Sequence, residues 1–86
     1  MKKLPKKVKI RDTEWIVKRK KMEDFGLIEW KTRTIWIRSG LRGKKLRQTL
    51  LHEILHACEW AYEFPLGHRI INQLEVMICD IKWLGR

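Results

Sequence analysis

Cysteine is scarce in this chain of 86 residues: Cys58 and Cys79 are the whole complement, and no Cys-x-x-Cys pair occurs. Each lies in an apolar helical pattern. Two buried free thiols are therefore expected, consistent with a reducing cytoplasm, and a bridge between two helices is the alternative. No segment approaches the ~20 apolar residues that a membrane span needs. No apolar run follows the basic Met1–Lys7 segment, so a signal peptide is not expected. Internal repeats and low-complexity linkers are lacking too, and the chain reads as a single small domain, residues 1–86, with residues 1–7 as a flexible basic arm. Acidic residues are outnumbered, 10 against 20 basic, which leaves a net charge of +10. Such a charge favours acidic partners such as nucleic acid, an anionic membrane surface or acidic peptides, although a solvated lysine-rich surface is the plainer explanation.

Proline and glycine are missing from Lys44 to Phe64, and that gap exposes the central feature. A long helix is expected there. It contains His52-Glu53-Ile54-Leu55-His56, the pattern His-Glu-x-x-His. At ~100° per residue His52 and His56 project from one helix face, a turn apart, where two neutral imidazoles can grip one Zn²⁺. Glu53 stands beside them as a general base for a metal-activated water. The pattern is a signature of zinc-dependent peptidases. Leu46, Leu50, Ile54, Ala57, Cys58 and Ala61 share the opposite, apolar arc. An amphipathic helix that merely carries two histidines and a glutamate on its polar side is the alternative.

Ahead of the helix the pattern is β. Val8 and Ile10 alternate with cations, Asp12-Thr13 suggests a turn, and Glu14–Lys20 pairs back as a hairpin. A third strand is expected at Leu27–Trp30 and the clearest one at Thr34–Arg38, with Ile35 and Ile37 on one face and Trp36 on the other. Lys18–Lys21 is a cationic run, either an exposed strand end or a phosphate-contacting patch. Arg42, Lys44, Lys45 and Arg47 crowd the helix start, where the macrodipole favours the opposite charge. After Pro65, a second helix is expected from His68 to about Leu84, packed through Ile71, Leu74, Ile78 and Ile81. Five tryptophans supply much of the buriable area, and a metal would staple a thin core.

Catalytic zinc takes three protein ligands and keeps one position open. His68, the remaining histidine, is one candidate for the third. Glu75 is the other, because level-matching in an antiparallel helix pair brings residue 75 near the motif. The two share a face of the second helix, so one can ligate while the other orients a ligand. Glu59 and Glu63, further along the motif stripe, read as solvated, with lining of the cleft as their other role. Asp80 and Tyr62 have no spacing that assigns them a role.

The run from Thr34-Ile35-Trp36-Ile37-Arg38 through Gly40-Leu41 to Arg47-Gln48-Thr49-Leu50-Leu51-His52-Glu53-Ile54-Leu55-His56-Ala57 resembles the small metallopeptidases of phages and mobile elements related to the ImmA/IrrE group. That resemblance implies an α+β, minimal zincin-like domain: a small antiparallel sheet of 3-4 strands, the motif helix, and a C-terminal helix bearing the third ligand. It makes His52 and His56 zinc ligands and Glu53 the general base. Members often carry Glu where His68 falls, and their helix start is less basic. A weaker resemblance is to SprT-like proteases, which act on DNA-bound proteins and take a third ligand from a Gly-His pair like Gly67-His68.

The expected protein is thus a zinc-dependent endopeptidase of a cytoplasm, that of the host cell for a phage protein. Its partner is a protein or peptide lying extended along strand Thr34–Arg38, with Trp36 as a pocket wall or a sheet-packing residue. The basic surface offers nucleic acid as a further partner, and no membrane partner is expected. A nucleic-acid-associated zinc module without catalysis and a latent protease awaiting a partner are the alternatives.

Overall fold

The alternation of branched apolar residues with cations near the N-terminus resolves into a hairpin. In a computed structural model that describes residues 4–81, strand β1 (Lys7–Ile10) pairs antiparallel with β2 (Thr13–Lys20), Ile10 opposite Thr13. Arg11 takes a left-handed backbone at the turn, φ 58°. Residues 4–7 are more firmly held than a loose arm. Leu4 packs against the core, the Lys6 carbonyl accepts the Val17 N–H at 2.9 Å, and Lys7 opens β1. Residues 1–3 of the expected arm lie outside the described residues.

Strands β3 (Gly26–Glu29) and β4 (Thr34–Arg38) form a second antiparallel hairpin. It docks with β4 beside β2, in parallel, which gives a four-stranded sheet in the order β1-β2-β4-β3. The architecture is α+β as expected, a sheet followed by two helices, but the sheet is mixed rather than wholly antiparallel. Apolar content explains the order. Ile35 and Ile37 are fully buried and Thr34 nearly so, so β4 gains most from an interior position flanked on both sides.

Helix α1 (Gly43–Tyr62) covers one face of this sheet. Leu46, Leu50 and Ala57 meet Ile10, Trp15, Val17, Ile35 and Ile37, with Ile54, Cys58 and Ala61 half-buried around them. Near the C-terminal end of α1, Trp15 makes edge-to-face contacts with Trp30 and Trp60 at 5.7 and 6.1 Å between ring centroids. The Arg33 guanidinium lies 4.1 Å from the Trp60 ring centre.

Glu63, in the left-handed region at φ 52°, ends α1, and Pro65 follows within the short link to α2 (Gly67–Cys79). Helix α2 packs on α1 through the fully buried Ile71, with Leu74 half-buried. Ile78 and Ile81, expected in that seam, are 41 % and 50 % exposed. The seam is short because α2 lies over the polar stripe of α1 rather than its apolar one. The helix stops at Cys79, ahead of Leu84, which lies outside the described residues.

Candidate metal centre

Two helices and one tight link assemble the site. His52 and His56, one turn apart on α1, hold their ring centroids 4.9 Å apart. His68, the second residue of α2, comes to 4.7 Å from His56 and 6.0 Å from His52. One ring nitrogen from each of the three lies within 4.8 Å of the others. Nitrogens on a tetrahedral zinc sit ~3.4 Å apart, so exposed and half-buried rings would have to rotate inward by about an ångström to hold an ion. Three imidazole nitrogens are a donor set suited to zinc, and they leave a fourth position for water or substrate.

Carboxylates fix how two of those rings point. Glu75 Oε1 lies 2.5 Å from His52 Nδ1, and Glu59 Oε1 lies 3.0 Å from His56 Nδ1. A carboxylate facing Nδ1 makes that nitrogen the donor of a neutral imidazole, so Nε2 keeps the lone pair that a metal requires. Of the two candidates for third ligand, then, His68 joins the nitrogen cluster and Glu75 holds a histidine ring from behind.

Glu59 is the residue that sequence spacing alone did not single out. It is only partly solvated, and its Oε2 accepts the backbone N–H groups of Leu66 and Gly67, at 2.6 and 2.9 Å. These are orphan donors at the start of α2, which has no side-chain cap of its own. The amide donors, Gly67 foremost, hold the Glu59 carboxyl below its ordinary range despite some desolvation, and His56 adds to them. One carboxylate thus orients a ring on α1 and seats the helix that delivers His68. The i, i+3 spacing from His56 was the available signal.

Glu53 faces a cavity of about 340 Å³ whose walls include His52, Glu75, Thr49, Lys45, Phe25 and Gly26. Burial pushes its carboxyl up; the nearby His52 opposes this, while Glu75 and Asp24 add to it. Gly26 opens β3 directly against it. A Cβ at that position would stand 2.8 Å from Glu53 Oε2 and 3.0 Å from both Glu53 Cγ and Thr49 Cγ2. The absence of a side chain at Gly26 is what makes room for the carboxylate. On the other flank of the histidines, Trp30, Trp60, Phe64 and Pro65 join His56, Glu59 and Glu63 around an open groove of about 410 Å³.

Two expectations are corrected. Strand β4 is not a cleft edge, because β2 and β3 flank it; the sheet edges are β1 and β3, and β3 begins beside Glu53. Trp36 is not a wall of the Glu53 cavity. Its neighbours Ile35 and Ile37 face the core under α1, so Trp36 faces the opposite side of the sheet, where its Nε1 donates to Glu29 Oε1 at 3.0 Å. Asp80 pairs with Lys44 at 3.8 Å and Tyr62 lies under the Arg11 guanidinium, both away from the histidines. The basic helix start has one member at the site, Lys45, on the cavity wall.

Comparison with family models, with curated proteins and with solved structures found no match to the chain.

Proposed function

We propose that this chain is a zinc-dependent endopeptidase of the kind that phages and mobile elements carry, akin to the ImmA/IrrE-related metallopeptidases that its motif helix resembles. One observation supports the reading above the others: three imidazoles from two helices converge, and one of them, His52, shares a cavity with the desolvated carboxylate of Glu53 in the same His-Glu-x-x-His segment. His52, His56 and His68 would hold the ion. When bound, zinc supplies Lewis acidity that polarises the scissile carbonyl and eases loss of a proton from water.

The remaining work falls to the chain's own groups. Glu53 takes the proton of the attacking water and hands it to the leaving amine nitrogen, so the carbon–nitrogen bond breaks without expelling a free amide anion. Its burial brings it nearer to neutrality, where a carboxylate both accepts and returns a proton efficiently. Glu75 and Glu59 keep the two motif rings in the tautomer and orientation that ligation needs. The substrate is a protein or peptide in extended form, paired along the β3 edge next to Glu53. The two free thiols suit a reducing compartment such as a cytoplasm.

The test compares wild type with Glu53→Gln. Both are assayed for zinc by mass spectrometry and for cleavage of an unstructured protein such as casein. Equal zinc content with a fall in rate of roughly 10²- to 10⁴-fold in the variant supports the proposal. A wild type without zinc, or unchanged cleavage in the variant, overturns it.

A further inference from the structure

The face of the sheet away from α1 has a composition that the histidine site does not use. Strand register brings five cations onto it: Lys7 and Lys9 from β1, Lys18 and Lys20 from β2, and Arg38 from β4. Their acidic company is Glu14 and Glu29. Glu14 is shared with Lys7 at 3.7 Å, and Glu29 accepts the Trp36 indole N–H. Lys20 and Arg38 are direct register partners. Like charges side by side on neighbouring strands are unfavourable unless an anion relieves them.

Among these cations stands an aromatic ring. Trp36 is only partly buried, the Lys20 ammonium lies 4.5 Å from its ring centre and the Lys18 ammonium 5.8 Å. The hydrogen bond to Glu29 fixes the tilt of the indole. At the end of the row, the Arg38 guanidinium lies 5.5 Å from the ring of Phe25, an aromatic 45 % exposed. Flexible ammonium groups over a fixed aromatic ring form a surface on which an unpaired base can stack while the lysines swing to adjacent phosphates.

We propose that this open sheet face binds single-stranded nucleic acid, with Trp36 as the stacking platform and Lys18, Lys20 and Arg38 as the phosphate-binding groups. Charge complementarity selects a polyanion, and the half-buried indole on this face selects one that offers the flat face of a base. A duplex keeps its bases stacked inside, and a membrane surface offers no such face. Trp36, Lys18 and Lys20 are separated from the histidines by the thickness of the sheet, so stacking there does not depend on the metal; only the Arg38 end nears Phe25, which also borders the Glu53 cavity.

Fluorescence anisotropy of the full chain tests this, with fluorescein-labelled 12-nucleotide oligo-U, oligo-dT and a 12-base-pair duplex as probes over a salt series. Either single strand binding more tightly than the duplex is the expected result, and the stronger of the two arms names RNA or DNA as the natural strand. Trp36→Ala weakens single-strand binding by about tenfold or more, and Trp36→Phe, which keeps the sheet packed and an aromatic ring in place, recovers most of it. Lys18→Gln with Lys20→Gln lowers the slope of log affinity against log salt by about 0.7 for each phosphate that is no longer neutralised. Equal or tighter binding of the duplex, a Trp36→Ala protein that binds like wild type, an unchanged salt slope in the lysine pair, or binding confined to phosphatidylserine vesicles would each overturn the proposal.

Discussion

Glu75 reaches from α2 to place its Oε1 2.5 Å from the Nδ1 of His52, a residue 23 positions earlier in the chain. The contact separates two residues that share one face of α2: His68 joins the cluster of ring nitrogens that could hold an ion, and Glu75 holds the His52 ring. Removing a ligand costs more than loosening one. Glu75→Gln is therefore expected to weaken zinc affinity by about 10- to 100-fold, and His68→Ala to weaken it further. Competition against a chromophoric chelator measures both. The reverse ranking would make Glu75 the third ligand.

Gly26 and Glu53 are in near contact, and the smallest side chain at position 26 would enter the space of the carboxylate. Gly26→Ala is expected to lower stability by about 1 kcal/mol, since the far end of Glu53 yields more readily than Thr49. Peptide cleavage should fall much further, with zinc content unchanged. Urea denaturation, metal analysis and a turnover assay on the same preparation separate the three quantities.

Glu59 joins three groups that move apart when it is removed. Glu59→Ala leaves the Leu66 and Gly67 N–H groups without their carboxylate and frees the His56 ring. A loss of about 1–2 kcal/mol is expected, toward the lower end of what hydrogen bonds to a charged acceptor contribute, because the side chain is partly solvated. Zinc affinity should fall in parallel. Glu59→Gln, which still offers an acceptor oxygen to the amides, should recover most of the stability. Denaturant midpoints in chelator and in zinc show whether the two losses share a cause.

Metal removal should be visible in folding itself. The thin seam between α1 and α2 rests on Ile71 and half-buried Leu74, so an ion that ties both helices together adds stability by mass action. At free zinc a hundredfold above its dissociation constant the gain is about 2.7 kcal/mol. For a domain of this size that corresponds to a melting temperature higher by about 10 °C or more than in excess chelator. Calorimetry with and without chelator checks it, and an unchanged midpoint would mean that no ion bridges the helices.

Local pattern was enough for the N-terminal hairpin, for β4 and for α1. Each is set by period-two or period-3.6 spacing and by the gap in proline and glycine, information confined to neighbours in the chain. The pairing of His52 with His56 was legible for the same reason: on a helix, four residues always mean one face. Strand order was not, because the choice between antiparallel and parallel seating of β4 turns on which strand gains most from double-sided cover, a comparison across the whole sheet. Nor was the division between His68 and Glu75, seven residues apart on one face, since spacing alone does not say how high α2 rides on α1. The Glu59 carboxylate settles that height by binding the first amides of α2. Trp36 was visible as a residue on the other side of its strand from Ile35 and Ile37. Only the placement of α1 decided which side faces the histidines, because one helix covers one face of a sheet and leaves the other to solvent.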